Sequence, residues 1–154
     1  MTPGTESFSR ELIRTSLFHG MTPARVEELL KIAVLRTVEP GAILVEEGGL
    51  ISGLHVIVKG RVEVIKQDRT PLGSIESGSF FGEISILGQT LAATATIVAA
   101  APCTCLIIGR AILDEWLGED FETQSIFFRN LAAELALRLS ETTEKLNQAR
   151  EVKK

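Results

Sequence analysis

With 154 residues, 45% of them hydrophobic and 23% charged, the chain has the make-up of one globular domain, large enough to bury a core without staples. Its net charge, 16 − 20 = −4, offers no basic footprint, which argues against nucleic acid or an anionic membrane as a partner. The opening MTPGTESFSREL has no apolar run, so no secretory signal is expected.

Within residues 6–18, Phe8, Leu12, Ile13 and Leu17 recur at helical spacing and predict a first helix, ended by His19-Gly20. Thr22-Pro23 opens a second helix, with threonine as cap and proline at the first helical position. Val26, Leu29, Leu30 and Ala33 form its apolar face. From Leu35 to Ile108 the pattern changes to short β-branched and aliphatic runs, and strands are predicted at 35–38, 43–46, 54–58, 62–66, 72–75, 93–98 and 103–108. Pro40-Gly41, Gly48-Gly49, Gly60 and Ser77-Gly78 are the turns between them. Many short strands with regular turns imply a sandwich or a double-sheet jelly roll. The expected architecture is therefore mainly β with flanking helices. It is read as one domain over 1–154, with N-terminal helices in 1–34, a barrel in 35–109 and C-terminal helices in 110–150.

Residues 110–117 and 122–150 read as helices. In the second, Phe127, Phe128, Leu131, Leu135, Leu139, Thr142 and Leu146 recur every three or four residues. Glu134 with Arg138, and Glu141 with Lys145, are acid-before-base pairs four apart that support an exposed helix. Such a long, narrow ridge exceeds what one small barrel covers. Its distal half is expected to pair with a twin in a parallel homodimer, the alternative being a helix folded back on its own barrel.

Cys103 and Cys105 lie two apart, on the same face of a strand, where they do not bridge readily. No second pair completes a zinc site, so they read as buried thiols in a reducing cytoplasm. No charge falls between Ile84 and Gly109, long enough on paper for a membrane span. However, that run holds Pro102, several glycines and Thr90, Thr94, Thr96 and Thr104, and its part from Ala93 to Val98 alternates like a strand. With only His19 and His55 available, neither a Ser-His-Asp nor a Cys-His arrangement can be assembled, so no enzymatic activity is expected.

The most informative stretch runs from Gly78 to Ile97, GSFFGEISILGQTLAATATI. Gly82 lacks the Cβ that would keep backbone away from a ligand. A short helix starting after it would turn the free N–H groups of Glu83, Ile84 and Ser85 toward an anion, above all a phosphate. Glu83 repels a phosphate but accepts hydrogen bonds from sugar hydroxyls, and phosphate beside ribose suggests a nucleotide.

This stretch resembles the phosphate-binding cassette of cyclic nucleotide-binding domains, the sensor module of catabolite-activator-type regulators, gated channels and kinase regulatory subunits. The family pattern reads roughly F-G-E, two variable residues, a Leu-Leu pair, a short loop, then P-R-[ST]-A-[TS]. Phe81, Gly82, Glu83, Ile86, Leu87, Thr94, Ala95 and Thr96 match it. The blocks VEPGAILVEEG, LHVIVKGRVEV and GSFFGE follow in the family's order, and the likeness extends from about Leu12 to Leu146. The Pro-Arg pair, however, falls on Ala92 and Ala93, and the Gly88–Ala92 loop is about one residue longer than usual. The resemblance makes that arginine the grip on the cyclic phosphate. A buried charge left unpaired costs about 3–5 kcal/mol, enough to turn a micromolar site into a roughly millimolar one.

Two functions are therefore open. One is a stand-alone sensor for a cyclic mononucleotide, cAMP or cGMP, that signals through its long helix to a protein partner. Gly82, Glu83, Ile84, Ser85, Ala93, Thr94 and Ala95 would hold phosphate and ribose, and Arg138, Thr142 or Thr143 would reach the base. The other is a dimerising or protein-binding module that no longer binds nucleotide. Arg61 and Arg110 are the candidates by sequence for another cation to reach the pocket, though nothing in the sequence places either inside. No DNA-recognition helix is expected beyond residue 150, and so no DNA binding. The cupins share the barrel but bind metal through several histidines, so no metal is expected here.

Overall fold

The computed structural model describes residues 3–88 and 91–152, with side chains from Phe8 onward, so part of the lengthened Gly88–Ala92 loop lies outside the described residues. Helix α1 spans Pro3–Ile13, five residues short of the sequence expectation. The chain beyond it turns, with the Thr15 amide and hydroxyl both donating to the Leu12 carbonyl at 2.9 and 2.6 Å. Leu17 keeps its helical spacing, yet it and Phe18 are buried from that turn, Phe18 lying 5.9 Å from the Trp116 ring. Burial, not periodicity, decided their place. Helix α2, Pro23–Ile32, is capped by Thr22, whose Oγ1 accepts from the Arg25 amide at 3.4 Å.

Among the described residues eight strands follow: β1 (Val34–Val38), β2 (Ile43–Val45), β3 (Leu54–Lys59), β4 (Arg61–Ile65), β5 (Pro71–Glu76), β6 (Phe80–Phe81), β7 (Thr96–Ala99) and β8 (Cys103–Ile108). They form two antiparallel four-stranded sheets, β1-β8-β3-β6 and β2-β7-β4-β5, stacked as a jelly roll. β6 gave no pattern in the sequence because it is a single pair of residues, registered as Phe80 on Val56 and Phe81 on His55. β7 begins three residues later than predicted. Its partner β4 reaches only as far as Thr96, opposite Ile65, so Thr94 and Ala95 have no ladder to join and form a bend. Ahead of them Ala93 pairs with the Gly48-Gly49 turn through bonds of 2.7 and 2.8 Å.

Strands β3 and β8 are buried on both faces, and their side chains alternate between two cores. Leu54, Val56, Val58, Leu106 and Ile108 point toward the helices and meet Leu12, Leu29, Trp116 and Phe127. Ile57, Cys103 and Cys105 point into the barrel and meet Val45, Val62, Phe81 and Ile97. Helices α3 (Arg110–Leu117) and α4 (Phe121–Val152) close the first core. The fully buried Phe127 ring stacks edge-on against Trp116 at 6.1 Å, and burying a side chain of that size contributes roughly 1.5–3 kcal/mol. The Asn130 amide ties α4 to the N-terminal turn by donating to the carbonyls of Leu17 and His19 at 2.8 and 2.9 Å. From Leu139 to Val152 every residue of α4 is exposed. No described helix is long and apolar enough to cross a membrane.

Candidate functional site

Residues Glu83–Ile86 form a single 3-10 turn, shorter than the helix the sequence suggested. Gly82 precedes it with φ +83°, and the first bond of the turn runs from the Ser85 amide to the Gly82 carbonyl at 3.1 Å. The amides of Glu83 and Ile84 therefore lie ahead of the bonded ladder, as expected at a helix start. One turn sums little macrodipole, so any attraction for an anion rests on these local N–H groups. Gly82 also has a role the sequence did not reveal. A Cβ there would stand 2.5 Å from the Gly53 carbonyl oxygen and 2.9 Å from Ile51 Cγ2, so the close approach it permits is to the chain's own backbone.

Against this turn lies a cleft of about 510 Å³, lined by Leu50, Ile51 and Ser52, by Ile84 and Ser85, and by Leu91 through Thr94. Of the cassette residues singled out above, it brings together Ile84, Ser85, Ala93 and Thr94. Gly82, Glu83 and Ala95 adjoin them in sequence without lining it. None of its described lining residues is charged, and its rim is apolar, with Leu50 72% and Leu91 56% exposed. Glu83 is half-buried and forms no ion pair with any described residue, which leaves its carboxylate able to accept from a ligand. The Ser85 hydroxyl already donates to the Gly82 carbonyl at 2.6 Å.

The cations sort themselves by position. Arg61 starts β4 at the end away from the cassette and faces Glu63 at 3.9 Å. Arg110 heads α3 and reaches the region of Gly88, with Nη1 3.1 Å from where a Cβ on that glycine would sit. Neither lines the cleft. Sequence reasoning missed Lys66, whose Nζ donates to the Thr94 carbonyl at 2.9 Å and to Glu47 Oε1 at 2.7 Å. Glu47 accepts in addition from the Gln67 amide, and these bonds hold its carboxyl below the usual carboxylate range. Lys66 thus braces the Thr94–Ala95 bend from outside the barrel, 28 residues from it along the chain, a separation no local motif encodes.

The three candidates for reaching a base lie on α4. Arg138 is engaged by the barrel, donating to Ser79 Oγ at 2.6 Å and to the Phe80 carbonyl. Thr142 and Thr143 are exposed, and Thr143 Oγ1 donates to its own helix at the Leu139 carbonyl, 2.9 Å away. Behind the cleft, His55 stacks on Phe81 with ring centroids 4.6 Å apart, and its Nδ1 contacts the Gly53 carbonyl at 2.9 Å. Burial lowers its pKa. Burial, reinforced by Cys103, pushes the Cys105 thiol up to about 11, so it is an inert core group at neutral pH. No group of three His, Cys, Asp or Glu among the described residues could hold a metal ion.

A family model described as the cyclic nucleotide-binding domain matches residues 35–120. A cGMP-dependent protein kinase of Eimeria tenella is 30% identical over 123 residues, covering 80% of this chain but only 12% of the kinase. Among solved structures, a cyclic nucleotide-binding domain from Methylobacillus flagellatus superposes with a TM-score of 0.78 at 19% identity, covering 92% of this chain and 83% of that one. The catabolite activator protein of Thermus thermophilus superposes with a TM-score of 0.70 at 26% identity, covering 86% and 62%.

Proposed function

We propose a function from one premise: this chain belongs to the cyclic nucleotide-binding domain family. It is a regulatory domain, acting in the cytoplasm, that takes a cyclic mononucleotide such as cAMP or cGMP in the cleft beside the 3-10 turn. The phosphate sits between the free amides of Glu83 and Ile84 and the Ala93–Ala95 segment, with Gly82 and Ser85 fixing the turn. Glu83 accepts from the ribose hydroxyls. The base faces α4, where Thr142 and Thr143 offer hydroxyls. Occupancy is passed to α4 and from there to a protein partner, and the exposed ridge of Leu139, Thr142 and Leu146 pairs with a second copy. The chain spans about an eighth of the kinase relative, so that protein's catalytic activity is not carried over. The net charge of −4 speaks against nucleic acid as a partner.

The observation that carries this reading is the convergence of Ile84, Ser85, Ala93 and Thr94, from the two ends of the cassette, on one cleft of about 510 Å³. Calorimetric titration with cAMP and with cGMP tests it. A saturable heat with Kd of order millimolar is expected, weakened by the missing guanidinium. Absence of heat at several-fold higher nucleotide refutes it. The alternative, a dimerising or protein-binding module that has lost its ligand, is favoured by one observation: no described residue lining the cleft is charged.

A further inference from the structure

The walls of the cleft have a chemical character of their own. Of the nine described residues that line it, six are apolar, and the other three, Ser52, Ser85 and Thr94, carry hydroxyls. Six of the nine belong to the stretch 84–94, within the uncharged run from Ile84 to Gly109. The Ser85 hydroxyl is spent on the Gly82 carbonyl, whereas those of Ser52 and Thr94 bond to no described residue. Leu50, Ile84 and Leu91 stand 72%, 41% and 56% exposed. A single exposed leucine needs no explanation, but three aliphatic side chains on one concave surface mark a place where something apolar is covered.

These walls are fixed by the fold itself. Leu50 and Ala92 face each other in an isolated antiparallel bridge, and Ala93 exchanges two backbone bonds with the Gly48-Gly49 turn. Gly82 packs on Gly53 and Ile51 too closely to admit a Cβ. A ligand therefore has little to order when it enters. The ionised groups around the cleft do not favour an anion. Glu83, beside Ile84, is negative and half-buried. Lys66 is committed to Glu47 and the Thr94 carbonyl, and Arg110 is turned toward Gly88. An anion here gives up water without gaining a counter-charge, and the amides of Glu83 and Ile84 offset that loss only in part. An uncharged ligand escapes the penalty and keeps the apolar contact. A cleft of about 510 Å³, mostly apolar with a few hydroxyls, has the make-up of a small-molecule site.

We propose that this cleft takes an uncharged, largely apolar small molecule bearing a hydroxyl or N–H group, and takes it more tightly than any anion of the same shape. Leu50, Ile84 and Leu91 cover the apolar body, and the hydroxyls of Ser52 and Thr94 meet the polar group. The inference goes beyond the nucleotide reading and does not depend on it, although the two ligands would compete for one place.

The test titrates the full chain with two fluorescent probes of one ring system. One is the neutral N-phenyl-1-naphthylamine, and the other is its sulfonated, negatively charged counterpart, 8-anilino-1-naphthalenesulfonate. The neutral probe should saturate at one per chain and bind at least about tenfold more tightly than the sulfonate. Leu50→Ser and Leu91→Ser should each weaken the neutral probe about tenfold, and because both side chains are exposed the fold should tolerate the change. Phe121→Ser, which removes a 75% exposed ring that does not line the cleft, should leave its affinity unaltered. Ala93→Arg should shift the preference toward the sulfonate. No binding of the neutral probe, equal affinity for the two, or binding that survives both leucine changes overturns the proposal. If cAMP gives calorimetric heat and the neutral probe is not bound, the nucleotide reading stands and this inference falls. If the neutral probe binds in the cleft and cAMP gives no heat, the reverse holds.

Discussion

Replacing Gly82 by alanine separates two roles a glycine can have at this position. Its φ of +83° already costs an alanine about 1–2 kcal/mol. The added Cβ would also lie 2.5 Å from the Gly53 carbonyl oxygen and 2.9 Å from Ile51 Cγ2. Ile51 can rotate, but the carbonyl belongs to backbone that is itself wedged. A Cβ on Gly53 would sit 3.0 Å from the Ile108 carbonyl oxygen, so that segment has little room to retreat. Relieving such a contact by shifting backbone costs a further 1–3 kcal/mol or so. The sum, about 2–5 kcal/mol, corresponds to a loss of roughly 5–15 °C in Tm for a chain of this size. Urea and thermal unfolding of Gly82→Ala would be compared with Gly73→Ala, where no atom lies within 4 Å of the new methyl. The control should stay within about 0.5 kcal/mol of the parent, the ordinary range for a surface change. If Gly82→Ala is equally mild, the glycine does not serve the fold, and its packing against Gly53 has been misread.

Ala93→Arg should restore the phosphate grip. It should raise cAMP affinity about 10- to 100-fold, as expected of a charge-assisted bond, while lowering the stability of the unliganded protein, because Ala93 is only 9% exposed. A folded variant with unchanged calorimetric affinity would refute the placement of the phosphate. His55 gives a pH signature. Because burial lowers its folded pKa below 6.5, the unfolded chain takes up the proton first on acidification. The stabilisation is intact above 6.5 and is lost as pH falls below that value toward the lowered one. The urea midpoint should therefore fall less between about pH 7.5 and 5.5 in His55→Phe than in the parent, and identical slopes would contradict this. For α4, Leu139→Glu with Leu146→Glu should convert a dimer to a monomer, since these side chains are 68% and 62% exposed and have no other cover. A native mass that is already monomeric for the parent at about 100 μM would remove the pairing.

The jelly roll was legible because its strands are short and its turns carry glycine, so alternating runs and punctuation told the same story. Legibility failed where a residue's place depends on something distant. Leu17 has helical spacing but occupies a turn with Phe18, whose ring is buried against Trp116 and Phe127 in the same core. Thr94 and Ala95 have the composition of a strand, yet no neighbouring strand extends far enough to pair with them. The cassette's two ends could be read from their motif, and four of its residues meet in one cleft. Lys66 and the commitment of Arg138 to Ser79 could not, since both contacts join segments tens of residues apart and leave no local pattern.

The double-faced strands β3 and β8 carry a consequence for how this molecule can change over generations. Leu54–Val58 and Cys103–Leu106 are buried and knit both cores together, so polar replacements there meet immediate cost. None of these residues lines the cleft. The vessel and its contents are thus underwritten by separate parts of the chain. A lineage could empty or refit the hollow, trading an arginine for alanine along the way, while the walls stood unaltered.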